Sequence, residues 1–223
     1  MARVFILSPA RSDGVRASYL FNPNTTTVLG RELQAGVRQP IGKVFSFLSG
    51  LYFRGKLAYA ETFSRPASEG VGAWVITSNQ GLLPLQAEID LEDLRGFSKT
   101  PIACGESRYE TPLRRDLRNL VAKENAETQY VLLGSVSTDK YAAALLEAFG
   151  EKLFFPTDFI GRGDMSRGGL MLRHARMKTE LAYAQLAGAV RNGKRPPKLI
   201  PVGGENRPAG NFPKQSRRLH KQP

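Results

Sequence analysis

Short apolar runs alternate with stretches of helical spacing along this chain. "RVFILS", from Arg3 to Ser8, is the first run, and Pro9 ends it. It reads as a strand. Ala73 to Thr77 ("AWVIT"), Tyr130 to Leu133 ("YVLL") and Leu153 to Phe155 are further runs of the same kind. Between Gly42 and Phe63, Phe45, Leu48, Tyr52 and Ala60 fall close to one helical face. Gly50 and Gly55 weaken that stretch as one helix and predict a break into two pieces. "VLGRELQAG" predicts a short helix after the "NPNTTT" turn, and "SPARSDGVRAS" and "SNQGLLP" read as loops. Pro112 to Glu124 predicts a helix, with Leu113, Leu117, Leu120 and Val121 at helical spacing and Pro112 in the first turn. Ser137 or Thr138 can cap a helix that runs through Ala148 and stops at Gly150. Residues 170–189 carry one more helical pattern.

Apolar runs without clean alternation, interspersed with helices, are expected of a mostly parallel sheet covered on both faces. The fold class is therefore α/β: a single three-layer domain with a short, mostly parallel central sheet. Its expected extent is residues 1–190, followed by a basic Pro/Gly-rich tail over 191–223.

Charge sharpens that division. The 223 residues carry a net charge of +12. Residues 191–223 hold nine Lys or Arg and one acid, Glu205, with six prolines and four glycines. This composition reads as extended or disordered in isolation. Such a tail can release counterions from a phosphate backbone, or it can serve solubility. Arg217 and Arg218 are its expected nucleic-acid contacts. The run from Lys198 to Pro201 has the alternative of lying along the body as a short edge segment, limited by its prolines. No run of about 20 apolar residues exists, so no membrane span is expected. The apolar N-terminal run is too short for a signal peptide. One cysteine, Cys104, makes no internal disulfide, and with two histidines most His-centred zinc chemistry is excluded. The expected location is cytoplasmic, with no cofactor.

In an open α/β sheet, ligands bind beyond the carboxyl ends of the strands. Four loops are expected there: Ser8 to Arg16, Ser78 to Gly81, Gly134 to Thr138 and Phe159 to Gly169. The fourth reads "FIGRGDMSRGG". Its Arg162 and Arg167 can grip phosphate in a forked geometry, with Asp164 between them as a catalytic carboxylate. The alternative is a tight loop in which Asp164 pairs internally. In the third loop, Ser135 and Thr138 precede a helix whose N–H groups can bind phosphate. In the first, Arg11 is a phosphate contact, and Asp13 either activates water or caps a turn. Asn79 can read a base edge, or simply shape a turn. Arg54 and Lys56, beside Tyr52 and Tyr59, can combine stacking with phosphate contact, although a helix face packed on the sheet explains the aromatics equally. His174 reads first as a structural histidine and second as a general base.

"FILSPARSDG" at 5–14, "YFRGKLAYAETF" at 52–63, "WVITSNQGLLP" at 74–84 and "VLLGSVSTDKYAAALLEAFG" at 131–150 together resemble the YaaA-type peroxide-stress proteins. Leu7, Ser8, Pro9, Ala10 and Arg11 approach that family's "ISPAK" start. The resemblance implies a fold related to uracil-DNA glycosylases and DNA binding in stress protection. The chain lacks the glycosylases' Asp-Pro-Tyr-His and His-Pro-Ser motifs, which argues against simple uracil excision.

The leading functional expectation is a DNA- or RNA-binding protein with a base or nucleotide pocket; if it is an enzyme, the expected chemistry is hydrolysis of the N-glycosidic bond of a modified or damaged base. Asp164 or Asp13 would serve the developing cation, Asn79 the leaving base, and Arg11, Arg162 and Arg167 the backbone. A non-enzymatic nucleic-acid or ribonucleoprotein binding module, and a nucleotide or phosphosugar enzyme acting on a small molecule, are the alternatives.

Overall fold

A computed structural model describes residues 2–67, 70–124, 127–197 and 199. In chain order its elements are β1 (Arg3–Leu7), α1 (Val15–Phe21), α2 (Val28–Gln34), β2 (Gln39–Pro40), α3 (Ile41–Ser49), α4 (Leu51–Phe63), β3 (Ala73–Ile76), β4 (Leu82–Pro84), β5 (Glu88–Ile89), α5 (Leu91–Lys99), α6 (Ser107–Lys123), β6 (Gln129–Leu133), α7 (Asp139–Phe149), β7 (Leu153–Pro156), α8 (Asp164–Met177) and β8 (Tyr183–Gln185).

Six strands form one sheet in the order β4-β3-β1-β6-β7-β8. The inner four are parallel, with β1 between β3 and β6. Both edges are antiparallel. A separate ribbon pairs β2 with β5. Alternate residues of β1 feed two cores. Phe5 and Leu7 join Val75, Val131 and Leu133 beneath α3, α4 and α8. Val4 and Ile6 join Leu132, Leu117 and Leu145 beneath α6 and α7. A strand buried on both faces has no polar side, which is why these runs lack alternation. The chain is thus a single α/β domain with a mixed, mostly parallel sheet flanked by helices.

The expected break into two helical pieces falls at Gly50, whose φ of +57° ends α3 and starts α4, while Gly55 lies inside α4. A residue with a Cβ is strained at such a φ. Several expectations need correction. The supposed helix over 170–189 ends at Met177, and β8 follows. Lys178 closes α8 in the left-handed region, and Tyr183–Gln185 pairs with β7. The glycine-rich stretch is only partly a loop, because α8 begins at Asp164. Gly168 is helical and faces α4: a Cβ on it would stand 2.7 Å from the Leu51 carbonyl oxygen. Its smallness serves helix packing. Helix α6 starts at Ser107, so Pro112 lies inside it rather than in its first turn. Residues 15–18, expected as the end of a loop, begin α1 (Val15–Phe21). Helix α5 was not anticipated, although Asp90 and Asp93 close a capping box at its start.

Candidate functional site

The connection from β1 leads to β3 on one side of it, and the chain later returns to β6 on the other. Neighbouring connections diverge between β1 and β6, and this switch point opens a crevice at the strand ends. A crevice of about 770 Å³ lies there. Ser8 to Asp13 line it after β1, Ser135 and Thr138 after β6, and Lys140 and Tyr141 from α7. Asp164 borders it from α8, and Ser49 and Tyr52 from the α3–α4 junction. Phe97, Ser98 and Lys99 at the end of α5, with Thr100 to Ile102, complete it. Three of the four expected loops therefore converge.

The second loop does not join them. Asn79 lies in a neighbouring groove with Thr100, Arg108 and Arg115. Its Oδ1 is buried without a hydrogen-bond partner. Gln80 donates to Asp93 at 2.7 Å, and its N–H donates to Thr77 Oγ1, so this segment is organised as a turn.

Asp164 faces the crevice with its side chain 65% exposed. Arg167 reaches it at 3.4 Å, but Arg167 itself is buried. Its Nε and Nη2 both donate to the Phe159 carbonyl oxygen, at 3.2 and 3.1 Å. Arg167 therefore ties down the turn before α8 and offers no grip for phosphate. Nor does Arg162 flank Asp164. It donates to Ser166 Oγ at 3.3 Å and to the Pro197 carbonyl at 3.4 Å, in a separate groove with Arg173 and Arg195.

Arg11 and Asp13 pair at the rim at 2.7 Å. The guanidinium holds the Asp13 carboxyl below the usual carboxylate range. Both side chains are well exposed, so the pair contributes little to stability. Ser135 offers no free backbone donor, because its N–H donates to the Tyr141 hydroxyl at 2.9 Å. Thr138 is the N-cap residue of α7 by position, but its side chain makes no cap bond. Arg54 is exposed and does not border the crevice.

Lys56 is the largest departure from expectation. Its side chain is fully buried beneath the crevice, so it cannot track an exposed phosphate. It donates to the Ser8 hydroxyl and carbonyl oxygens. Arg217 and Arg218 lie outside the described residues. The tail's first residues meet the body: Arg191 pairs with Asp139 at 2.6 Å, and Leu199 packs against the core beneath α8. Of the run 198–201, only Leu199 is described. His174 Nδ1–H donates to the Thr179 carbonyl oxygen at the end of α8, in a structural role. Cys104 is exposed.

Lys99 and Lys140 were not singled out from the sequence. Both are exposed, both border the crevice, and neither makes an ion pair among the described residues. Only the folded chain shows that the end of α5 faces the start of α7. No group of three or more His, Cys, Asp or Glu able to hold a metal ion occurs among the described residues. No described helix is long and apolar enough to cross a membrane.

No family model, curated protein or solved structure matches this chain. The resemblance to the YaaA-type proteins stands on the quoted motifs alone.

Proposed function

We propose that the crevice receives a nucleotide unit of DNA or RNA and that the protein hydrolyses its N-glycosidic bond. The observation that carries this reading is the convergence of Asp164 with Lys99 and Lys140 at the switch point of a parallel sheet. The volume suits a ligand of nucleotide size. Lys99 and Lys140 supply the attraction for phosphate. The hydroxyls of Ser12, Ser49, Ser135 and Thr138 supply partners for a sugar. Asp164 is exposed enough to meet a ligand, and its carboxylate would stabilise the oxocarbenium-like sugar or direct water to it. Asp13, paired with Arg11 at the rim, takes the lesser part. Asn79 is withdrawn as the partner of the leaving base, because it lies in a different groove.

A second reading, a free nucleotide or phosphosugar as substrate, is favoured by one observation. The described residues that line the crevice all lie between Ser8 and Asp164, and none of residues 191–197 or Leu199 is among them.

The test is base release from DNA and RNA carrying modified or damaged bases, with the full chain and D164N. Release by the wild type that falls roughly 10²–10⁴-fold in D164N supports the assignment. Undiminished release by D164N removes Asp164 from it. No release from any polymer, with cleavage of free nucleotides, selects the second reading.

A further inference from the structure

The floor of the crevice holds a pair of groups that the glycosidic proposal leaves unused. Lys56 projects from α4 to the carboxyl end of β1. Its Nζ lies 2.7 Å from Ser8 Oγ and 2.9 Å from the Ser8 carbonyl oxygen. It also sits over the Tyr52 ring, 3.9 Å from the centroid, with Phe53 at 5.4 Å. From α8, the Asp164 charge favours the ammonium and Arg167 opposes it. Burial outweighs both and brings the Lys56 amine down to about 7. An amine without a carboxylate bonded to it, in such surroundings, loses its proton readily. The neutral amine keeps two N–H groups and one lone pair. One N–H can hold the Ser8 carbonyl while the lone pair faces the Ser8 hydroxyl.

Ser8 itself borders the crevice. Beside it stands the Tyr141 hydroxyl, which accepts the Ser135 N–H. A Cβ on Gly134 would lie 3.0 Å from Ser8 Oγ and 3.1 Å from Tyr141 Oη, so the absent side chain at 134 leaves room for the two to approach. Burial keeps both Tyr141 and Tyr52 above the ordinary tyrosine value, hence protonated. The Tyr52 hydroxyl is buried and makes no hydrogen bond of normal geometry.

We propose that Ser8 is a nucleophile and Lys56 its general base, and that the pair takes an acyl group from a carboxylic ester bound in the crevice. A serine is made nucleophilic by an adjacent base within hydrogen-bond reach, and lysine serves that role in Ser–Lys enzymes. Lys56 Nζ takes the Ser8 proton as Oγ bonds to the carbonyl carbon, and the carbonyl π pair moves to oxygen. The protonated phenol of Tyr141, beside Ser8, is the donor that would receive that oxyanion. The carbonyl reforms as the ester C–O bond breaks, and the alcohol leaves with the proton from Lys56. Water then gives a proton to Lys56 and adds its oxygen to the acyl carbon. Ser8 departs, recovers the proton from Lys56, and the product is a carboxylic acid. This chemistry goes beyond the glycosidic reading, since it needs neither Asp164 nor a glycosidic bond.

The test is covalent labelling of the full chain with a fluorophosphonate and with p-nitrophenyl acetate, read by intact mass and peptide mapping. The expected result is one adduct per chain, on Ser8, and none in S8A. Its rate rises from pH 6 to pH 8 with a midpoint near 7. In K56M the rate falls roughly 10²–10⁴-fold and the rise with pH disappears. Should K56M not fold, the wild-type pH profile and S8A decide alone. An adduct on another residue, no adduct, or a rate flat from pH 6 to 8 overturns the proposal. Base release is scored separately. A chain that labels at Ser8 but releases no base keeps the nucleophile and loses the glycosidic reading, and the reverse result does the opposite.

Discussion

Gly55 of α4 and Gly168 of α8 approach so closely that a Cβ on Gly55 would stand 2.5 Å from the Gly168 carbonyl oxygen. This approach sets the distance between the two helices. It thereby places Tyr52 and Lys56 of α4 against Asp164 and Arg167 of α8. Alanine is a better helix former than glycine by about 1 kcal/mol. Here the atoms in the way are backbone, which cannot rotate aside, so overpacking wins. G168A should lose about 1–3 kcal/mol of stability in urea denaturation. A neutral or stabilised G168A would mean that the helices do not touch at this point.

Lys56 makes stability depend on pH. Its folded value, about 7, lies below the ordinary 10.5. Between those values the unfolded chain binds a proton that the folded chain does not. Stability from this group therefore rises with pH across about 7 to 10.5, and below 7 its full cost is present. K56M lacks that dependence. The stability of K56M minus that of the wild type should be greatest at pH 6 and shrink toward pH 10, by on the order of a few kcal/mol. Taking the difference between the two proteins removes groups common to both. A difference that stays constant from pH 6 to pH 10 contradicts a buried, titrating lysine.

Tyr59 joins α4 to the edge of the sheet. Its hydroxyl accepts the buried Leu181 N–H at 2.8 Å and pairs with the Tyr183 hydroxyl at the start of β8. Y59F would leave the Leu181 donor unsatisfied, at a cost of about 1–3 kcal/mol. Amide exchange at Leu181 should also accelerate in Y59F. Unchanged exchange there would show that the phenol does not hold this segment.

The four inner strands were legible because burial on both faces leaves an unbroken apolar run, as in Arg3–Leu7 and Gln129–Leu133. The edges were not. Strand β8 has few residues and follows helix formers such as Glu180, Leu181 and Ala182, so its state is decided by pairing with Phe154–Pro156. Local preference yields there to a tertiary partner. In the crevice, Asp164 and the loop after β1 were legible as polar residues following apolar runs. Arg167 and Lys56 misled for a common reason. A cation in the sequence carries no mark of its direction, and both turn inward to backbone carbonyls, Phe159 and Ser8 respectively. The part played by Lys99 and Lys140 depends on which helix ends meet, and no local pattern encodes that.

The most direct measurement of the crevice's role is equilibrium binding of single- and double-stranded DNA, of RNA and of mononucleotides to the full chain, beside the K99Q/K140Q variant, over a salt series. If the crevice receives a nucleotide unit, the variant binds more weakly. Its log K also falls less steeply with log salt, by about 0.7–0.9 for each phosphate that the two lysines neutralise in the wild type. Equal affinity and equal salt slopes for the two proteins would place recognition outside the crevice and contradict its assignment.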